Sequence, residues 1–379
     1  MPVGSLKNSV YGVMLPLAGK RCEWKPSSDV EKVLRRHHVL GSAVQTFEKG
    51  KLTRLYTVGW AGLTGEKRPV SSDTFFRTAS IAKTITALLV FRLQTLNRLN
   101  GQEDLSDWLG YPVRNPLFPK QPITVGMLLS HTSSLNDSQA YFASFNSTEK
   151  LETLLKNDQA FLPYKPGQHF RYSNFAAGMI ACMLEQRFSM SFEALAQQEL
   201  FEPLGVKATF DLSRLQSENV ADSWRVLPAR LAFDDECRKK CAKPLNEPDP
   251  QHRYLTASGN LYLTAEALAA LTLLAWDGGN GFLSEESLQQ MKTPILGWPD
   301  QTVRMHHGMG LFQLEDRSVC SRTLWGHQGF AYGAVNGLFF DAQGNGFVCL
   351  NSGASERRIG HLACLNRELI GLLMEENRG

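Results

Sequence analysis

The strand signal in this 379-residue chain is divided between its two ends. Ala43 to Phe47 and Leu52 to Val58 are short β-prone runs around Glu48-Lys49-Gly50-Lys51, which reads as a hairpin. Ala334 to Phe340 and Gly346 to Leu350 are strands on either side of the turn Asp341-Ala342-Gln343-Gly344-Asn345. The stretch from about residue 102 to residue 255 is instead rich in helical runs, turns and prolines, with Asn246-Glu247-Pro248-Asp249-Pro250 as a loop. The simplest assembly brings both ends into one antiparallel sheet flanked by helices, with the middle as a helical insertion. The expected fold class is therefore mixed α/β. Residues 1–95 and 256–379 form the expected α/β domain, and residues 96–255 the expected insertion domain.

Helices follow from apolar spacing. From Ser80, the residues Ile81, Ile85, Leu88, Leu89, Leu96 and Leu99 recur at helical intervals, and Gly101 marks the end. Ala265 to Trp276 reads as a second apolar helix, and Arg357 to Met374 as an amphipathic closing helix. The first of these helices carries Ser80-Ile81-Ala82-Lys83 at its N-terminus. A serine hydroxyl is a poor nucleophile until a neighbour takes its proton. A lysine three residues on lies one turn away on the same face, so its amine reaches that oxygen. Desolvation and nearby positive charge lower a lysine's pKa toward the range where it shares the role of base. Free N–H groups at the helix start favour developing negative charge.

Two later segments give the S-x-x-K pattern its context. Phe170-Arg171-Tyr172-Ser173-Asn174 supplies Y-x-N, and Leu324-Trp325-Gly326-His327-Gln328-Gly329-Phe330 supplies H-x-G on an expected strand. In this order the three motifs resemble those of the serine β-lactamase and penicillin-binding protein superfamily, in its class C-like branch of D-peptidases, D-aminopeptidases and related esterases. Leu128-Leu129-Ser130-His131-Thr132-Ser133-Ser134-Leu135 is similar to a further family segment, with Ser134 where glycine is usual. Pro166-Gly167, Pro203-Leu204-Gly205-Val206 and Ala257-Ser258-Gly259-Asn260-Leu261 also resemble family segments. The similarity covers about residues 40 to 375.

The resemblance implies a β-lactamase/transpeptidase-like architecture in which Ser80, Tyr172 and His327 meet in a cleft at the domain interface. It implies Ser80 as the acylated nucleophile, with Lys83 and Tyr172 sharing the proton. A phenol loses its proton near pH ~10, and an adjacent ammonium favours the anion, so Tyr172 is expected as base and then as acid to the leaving group. Asn174 is expected to meet the substrate carbonyl and to hold Lys83. His327 is expected to partner Tyr172 or the substrate. Gly329 is expected to let a substrate backbone approach the strand edge closely. The backbone N–H groups of Ser80 and Phe330 are the implied oxyanion hole. His131 belongs to a mostly structural segment and is not expected to act as a base. Arg77, Asp137 and Glu356 have no motif support and read as solvated charge.

The third motif is His327-Gln328-Gly329 rather than Lys-Thr-Gly. A lysine and threonine there help bind a β-lactam or C-terminal carboxylate, whereas histidine is neutral or only partly charged near pH 7. The expected activity is therefore hydrolysis of an amide or ester through an acyl-enzyme, on a small-molecule or peptide substrate with D-configured peptides among the candidates. The alternatives are a β-lactamase, or a penicillin-binding or sensing protein that turns over poorly.

Composition narrows the remaining classes. The formal charge of +3 is spread along the chain, and no Lys/Arg cluster with interleaved aromatics reads as a nucleic-acid footprint. Arg238-Lys239-Lys240 reads as a short solvated turn. Seven cysteines, an odd number, form no dense framework and read as mostly reduced thiols. Cys237 and Cys241 are spaced for one helical face with no second pair to complete a zinc site, and His306-His307 has no ligand partner at metal-site spacing. No metal or cofactor is expected. No run of about 18 apolar residues exists to span a membrane. The apolar patch Val10 to Ala18 lacks a strong basic flank and a convincing cleavage site, which leaves a cytoplasmic protein, or an extracytoplasmic one whose signal precedes this numbering.

Overall fold

A computed structural model describes residues 22, 24–63, 66–146, 149–226, 230–231, 243–297 and 302–375. The patch at Val10 to Ala18, the run Arg238-Lys239-Lys240 and the Cys237/Cys241 pair lie outside the described residues.

The two ends of the chain meet in one nine-stranded sheet. Helix α1 (Asp29–Arg36) precedes strands β1 (Gly41–Glu48), β2 (Lys51–Gly62) and β3 (Arg68–Pro69). Six strands come from the other end: β4 (Leu296–Gly297), β5 (Met305–His307), β6 (Phe312–Leu314), β7 (Leu324–Ala331), β8 (Ala334–Phe340) and β9 (Gly346–Asn351). The spatial order is β3-β2-β1-β9-β8-β7-β6-β5-β4, and neighbouring strands run antiparallel. The seam between the ends is β1 against β9, in the register Ser42↔Asn351 to Phe47↔Gly346. Both strands are almost wholly buried, since helices cover both faces of the sheet centre.

On one face lie α2 (Ala82–Thr95), α3 (Asn174–Phe188), α4 (Ala265–Asp277) and α5 (Glu285–Lys292); on the other, α1 and α6 (Cys364–Leu373). A single apolar cluster runs from Ala43, Phe340 and Leu350 of the sheet through Ile85 and Leu88 of α2 to Met179 of α3 and Phe201. It thus crosses from the sheet into residues 96–255 without a break. A second cluster joins Val33 and Leu34 of α1 to Phe339, Phe347 and Leu369. Among the described residues no helix is long and apolar enough to cross a membrane.

Two helix boundaries differ from the sequence reading. Helix α2 stops at Thr95, before Leu96, Leu99 and Gly101, because Asn97 takes a left-handed conformation (φ 55°) that ends the turn earlier. The closing helix begins at Cys364 rather than Arg357. Gly360 (φ 56°) turns residues 358–363 into a two-stranded hairpin pairing Arg358 with Ala363 and Ile359 with Leu362.

Candidate active site

Ser80 lies in a single 3₁₀ turn, Ala79–Ile81, that leads directly into α2. Ala79, just before it, has φ 51°, a conformation that costs a non-glycine residue of order 1 kcal/mol or more. The turn is pinned from three sides. Thr78 N–H donates to Leu261 O at 2.9 Å, Asn336 Nδ2 donates to Arg77 O at 2.9 Å, and β7 packs directly beneath. A Cβ on Gly329 would stand 2.1 Å from Thr78 O and 3.3 Å from the Ala79 methyl. The backbone that requires this glycine is thus the chain's own turn at Ser80.

Lys83 is 4% exposed. Its Nζ has three neighbours: Ser80 Oγ at 3.2 Å, Asn174 Oδ1 at 2.9 Å and Ser258 O at 2.6 Å. Burial pulls its pKa down to about 7, an effect opposed by the charge of Asp137 and reinforced by Arg77. An amine at the ordinary 10.5 would be free base in only about one molecule in 3,000 at pH 7, and the lowered value makes the free base far more accessible here. Asn174 Oδ1 and Ser258 O can only accept, so the neutral amine spends its two hydrogens on them. Its electron pair is then left for the Ser80 hydroxyl.

Tyr172 hydrogen-bonds to Ser80, and its ring centroid lies 5.1 Å from Lys83 Nζ. Burial pushes its phenol above the ordinary value, with the Ser80 bond opposing and Asp137 reinforcing. Burial thus disfavours the expected tyrosinate in the resting site. Tyr172 holds its proton and Lys83 is the group with a basic pair to offer.

The Y-x-N segment is fastened to the segment around His131. Arg171 N–H donates to His131 O at 2.8 Å, Gly167 N–H to Thr132 O at 2.8 Å, and Ser173 N–H to His131 Nδ1 at 3.3 Å. The His131 ring stacks on Tyr172 at 4.4 Å between centroids. Burial, then the neighbouring His307, Lys83 and His327, hold its pKa well below normal, so it is a neutral prop for the tyrosine.

Beneath the Y-x-N lies Asp137, which sequence reading treated as solvated charge. It accepts four hydrogen bonds: from Ser173 Oγ (2.8 Å), Asn174 N–H (3.0 Å), Asn174 Nδ2 (2.9 Å) and Phe175 N–H (2.9 Å). Arg77 is likewise half-buried; it donates to Asn260 Oδ1 at 2.8 Å and lies over the Tyr332 ring. Neither residue sits in a motif, so spacing gave no signal for either. Ser258, by contrast, stands in a segment whose family likeness was visible.

On β7, strand alternation separates the third motif. His327 is buried, with Nδ1 donating to Gln328 O at 2.8 Å, which leaves Nε2 unprotonated. Burial first, and the Lys83 charge second, drop its pKa to about 3. Gln328 also borders the cleft, but both ends of its amide are hydrogen-bonded within the protein. Its Nε2 donates to His361 O (3.0 Å) while its Oε1 accepts from Ala363 N–H (3.0 Å) and Asn366 Nδ2 (2.9 Å), tying β7 to the C-terminal hairpin and α6. Strand β6 begins at Phe312 opposite Gly326, so from His327 onward β7 has no strand on that side among the described residues.

A cleft of about 280 Å³ opens over this edge, lined by Ser80, Tyr172, Asn174, His327 and Phe330 of the expected set. It is also lined by Gln328 and by Met305, His307, Phe312, Arg358 and His361, for which the sequence carries no site signal. Arg358 brings the cleft its cation, its guanidinium 3.8 Å from the Phe330 ring centroid. Among the described residues no group of three His, Cys, Asp or Glu is arranged to hold a metal.

A hydroxyl nucleophile and a desolvated amine at hydrogen-bond range, in a cleft at a sheet edge, are the equipment of a serine hydrolase. The Beta-lactamase family model matches residues 27–360, and the chain belongs to that family. It is 28% identical over 199 residues to "Penicillin-binding protein 4*" of Bacillus subtilis (strain 168), a match covering 51% of this chain and 43% of that longer protein. Among solved structures it resembles "EstCE1, a hydrolase with promiscuous acyltransferase activity", with TM-score 0.72, 21% identity and coverage of 90% of this chain and 97% of the other. It also resembles the D-amino acid amidase of Ochrobactrum anthropi SV3, with TM-score 0.69, 19% identity and coverage of 91% and 99%. At these identities the two likenesses establish the fold.

Proposed function

We propose that the chain hydrolyses a small ester or a D-configured amide through a covalent acyl-enzyme on Ser80. The observation that carries this reading is the Lys83 amine. It is buried, its pKa is near 7, and it lies 3.2 Å from Ser80 Oγ with its other two partners obligate acceptors. In acylation Ser80 Oγ attacks the substrate carbonyl carbon and its proton passes to Lys83 Nζ. Backbone N–H groups of Ser80 and Phe330 receive the oxyanion; loss of one such donor typically costs ~10²–10³ in rate. As the carbonyl reforms, the C–O or C–N bond to the leaving group breaks, and the leaving group takes a proton relayed through Tyr172 from the lysine ammonium. Water then attacks the acyl carbonyl carbon and gives its proton to Lys83 through Tyr172; the bond from that carbon to Ser80 Oγ breaks, Oγ takes the proton back, and the acid is released.

The substrate preference rests on the third motif. His327 is neutral and offers an acceptor, not a cation, while Gln328 is committed elsewhere. Small esters and D-amino-acid amides are therefore expected to outrun β-lactams. Two proteins of the same fold, a hydrolase with promiscuous acyltransferase activity and a D-amino acid amidase, are in keeping with acyl transfer from such substrates.

One experiment tests both parts. Nitrocefin, a p-nitrophenyl acyl ester and a D-amino-acid amide are compared by kcat/KM, with intact-mass detection of the acyl adduct. The expected result is an adduct on Ser80 that clears with time, no turnover by a folded Ser80→Ala variant, and nitrocefin trailing. A folded Ser80→Ala enzyme at near wild-type rate would sink the mechanism. A stable adduct would indicate a binder or sensor. Nitrocefin leading by tenfold, about 1.4 kcal/mol, would make the chain a β-lactamase.

A further inference from the structure

Lys83 is left with a single use for its electron pair only if Asn174 presents oxygen to it and not its amide nitrogen. The Asn174 side chain can rotate by half a turn and exchange the two at little steric cost. The element that forbids the exchange is Asp137. Its Oδ2 accepts from Asn174 Nδ2 at 2.9 Å, and a flipped amide would face that carboxylate with oxygen and face Lys83 with a donor. Capping α3 does not require this contact. Ser173 Oγ already caps the helix by accepting from Ala176 N–H at 3.0 Å, and Asp137 reaches the Asn174 and Phe175 N–H groups besides.

We propose that Asp137 is a positioning residue for the base: by holding the Asn174 amide with Oδ1 toward Lys83, it leaves the lysine electron pair aimed at Ser80. The inference rests on the serine–lysine reading given above. Asp137 also acts on the amine through its charge. The groups facing Lys83 are Arg77 from the strand before the nucleophile turn, Asp137 from the loop after Leu135, Tyr172 and His131 beneath α3, and His327 from β7. Asp137 itself is faced by Tyr141 and Tyr172. Of these, Asp137 favours the ammonium and Arg77 opposes it. Acylation needs the neutral amine, so its rate rises with pH through the lysine titration. Removing the Asp137 charge moves that acid limb to lower pH, and removing the Arg77 charge moves it to higher pH.

The test is the pH profile of ester kcat/KM in the wild type, Asp137→Asn, Asp137→Glu and Arg77→Gln, together with Asp137→Asn in an Asn174→Ala background. For Asp137→Asn we expect the acid limb to fall by roughly half a pH unit or more and the plateau to drop about tenfold, mostly in kcat. Asp137→Glu keeps the charge but misplaces it, so its limb stays near wild type while its plateau drops. Arg77→Gln shifts its limb the opposite way. In the Asn174→Ala background the Asp137 change lowers the plateau little further. A wild-type plateau in folded Asp137→Asn overturns the role, as do multiplicative losses with Asn174→Ala. If Asp137→Asn does not fold, Asp137→Glu decides: a wild-type plateau overturns the proposal. Turnover without acylation of Ser80 overturns the serine reading and this one together. Acylation of Ser80 with no response to Asp137 overturns this one alone.

Discussion

At the scale of single residues, the site's chemistry turns on which of two groups holds a proton near pH 7. Burial acts on both in opposite directions. It makes the Lys83 ammonium unfavourable and the Tyr172 anion unfavourable, so each tends toward its neutral form. A neutral amine accepts a proton and a neutral phenol passes one along. In the proposed mechanism the two side chains form a relay with a single mobile proton, joined at Ser80. Residues that act as one unit lose their function once, not twice. Lys83→Ala and Tyr172→Phe are each expected to lower the acylation rate by about 10²–10⁴. The double variant should fall little below the worse single variant. Rapid-quench acylation rates across the cycle give the answer, and losses that multiply would mean the two do not share the proton.

At the scale of elements, the orientation of Ser80, the proposed nucleophile, depends on the contact between β7 and the turn Ala79–Ile81. That turn holds its left-handed Ala79 because Gly329 has no side chain to push it away. Gly329→Ala would bring a methyl to 2.1 Å from Thr78 O, a backbone atom that cannot swing aside. The expected outcome is about 1–3 kcal/mol of lost stability, typical of overpacking, and at least a tenfold fall in kcat/KM as Ser80 is displaced. Thermal unfolding and steady-state kinetics measure the two. Wild-type values for both would show that the turn yields freely. This contact also marks where sequence reasoning stops. Ser80 and Lys83 are legible because one helical turn sets their distance, and Tyr172 and Asn174 because a short motif carries both. Asp137, Arg77 and Arg358 reach the site from separate loops and strands, and only the folded chain brings them there. Ser134 lies between these cases. Its φ of 63° explains why glycine is usual at that position, and a hydrogen bond from Asn115 Nδ2 at 3.0 Å offsets the strain. The hairpin at 358–363 was read as helix because its apolar residues fit that period; Gly360 was the local signal against it.

At the scale of the whole molecule, the sheet joins residues about three hundred apart, as in Ser42↔Asn351, and the helical middle stands on it. The pattern of strands at both ends was enough to foresee that joining, because buried strands need partners and only the other end offered them. The independence of the middle is a different matter, since it depends on where the core lies. Ile85 and Leu88 of α2 belong to the same apolar cluster as Leu350 of the sheet and as Met179, Leu184, Leu195 and Phe201 of the middle. Opening the boundary would expose all of these surfaces at once. At about 25 cal/mol per Å², the cost of exposing several large side chains exceeds what a domain of this size usually holds in reserve. The chain should therefore unfold as one cooperative unit, although proteins of this length often unfold in stages. Two variants test this, each retaining one reporter tryptophan, Trp108 in the middle or Trp325 on β7. Their fluorescence transitions in urea should have the same midpoint, and loss of ester hydrolysis should coincide with both. If Trp108 reported a separate transition while hydrolysis and Trp325 kept the native signal, residues 96–255 would be a domain with its own stability.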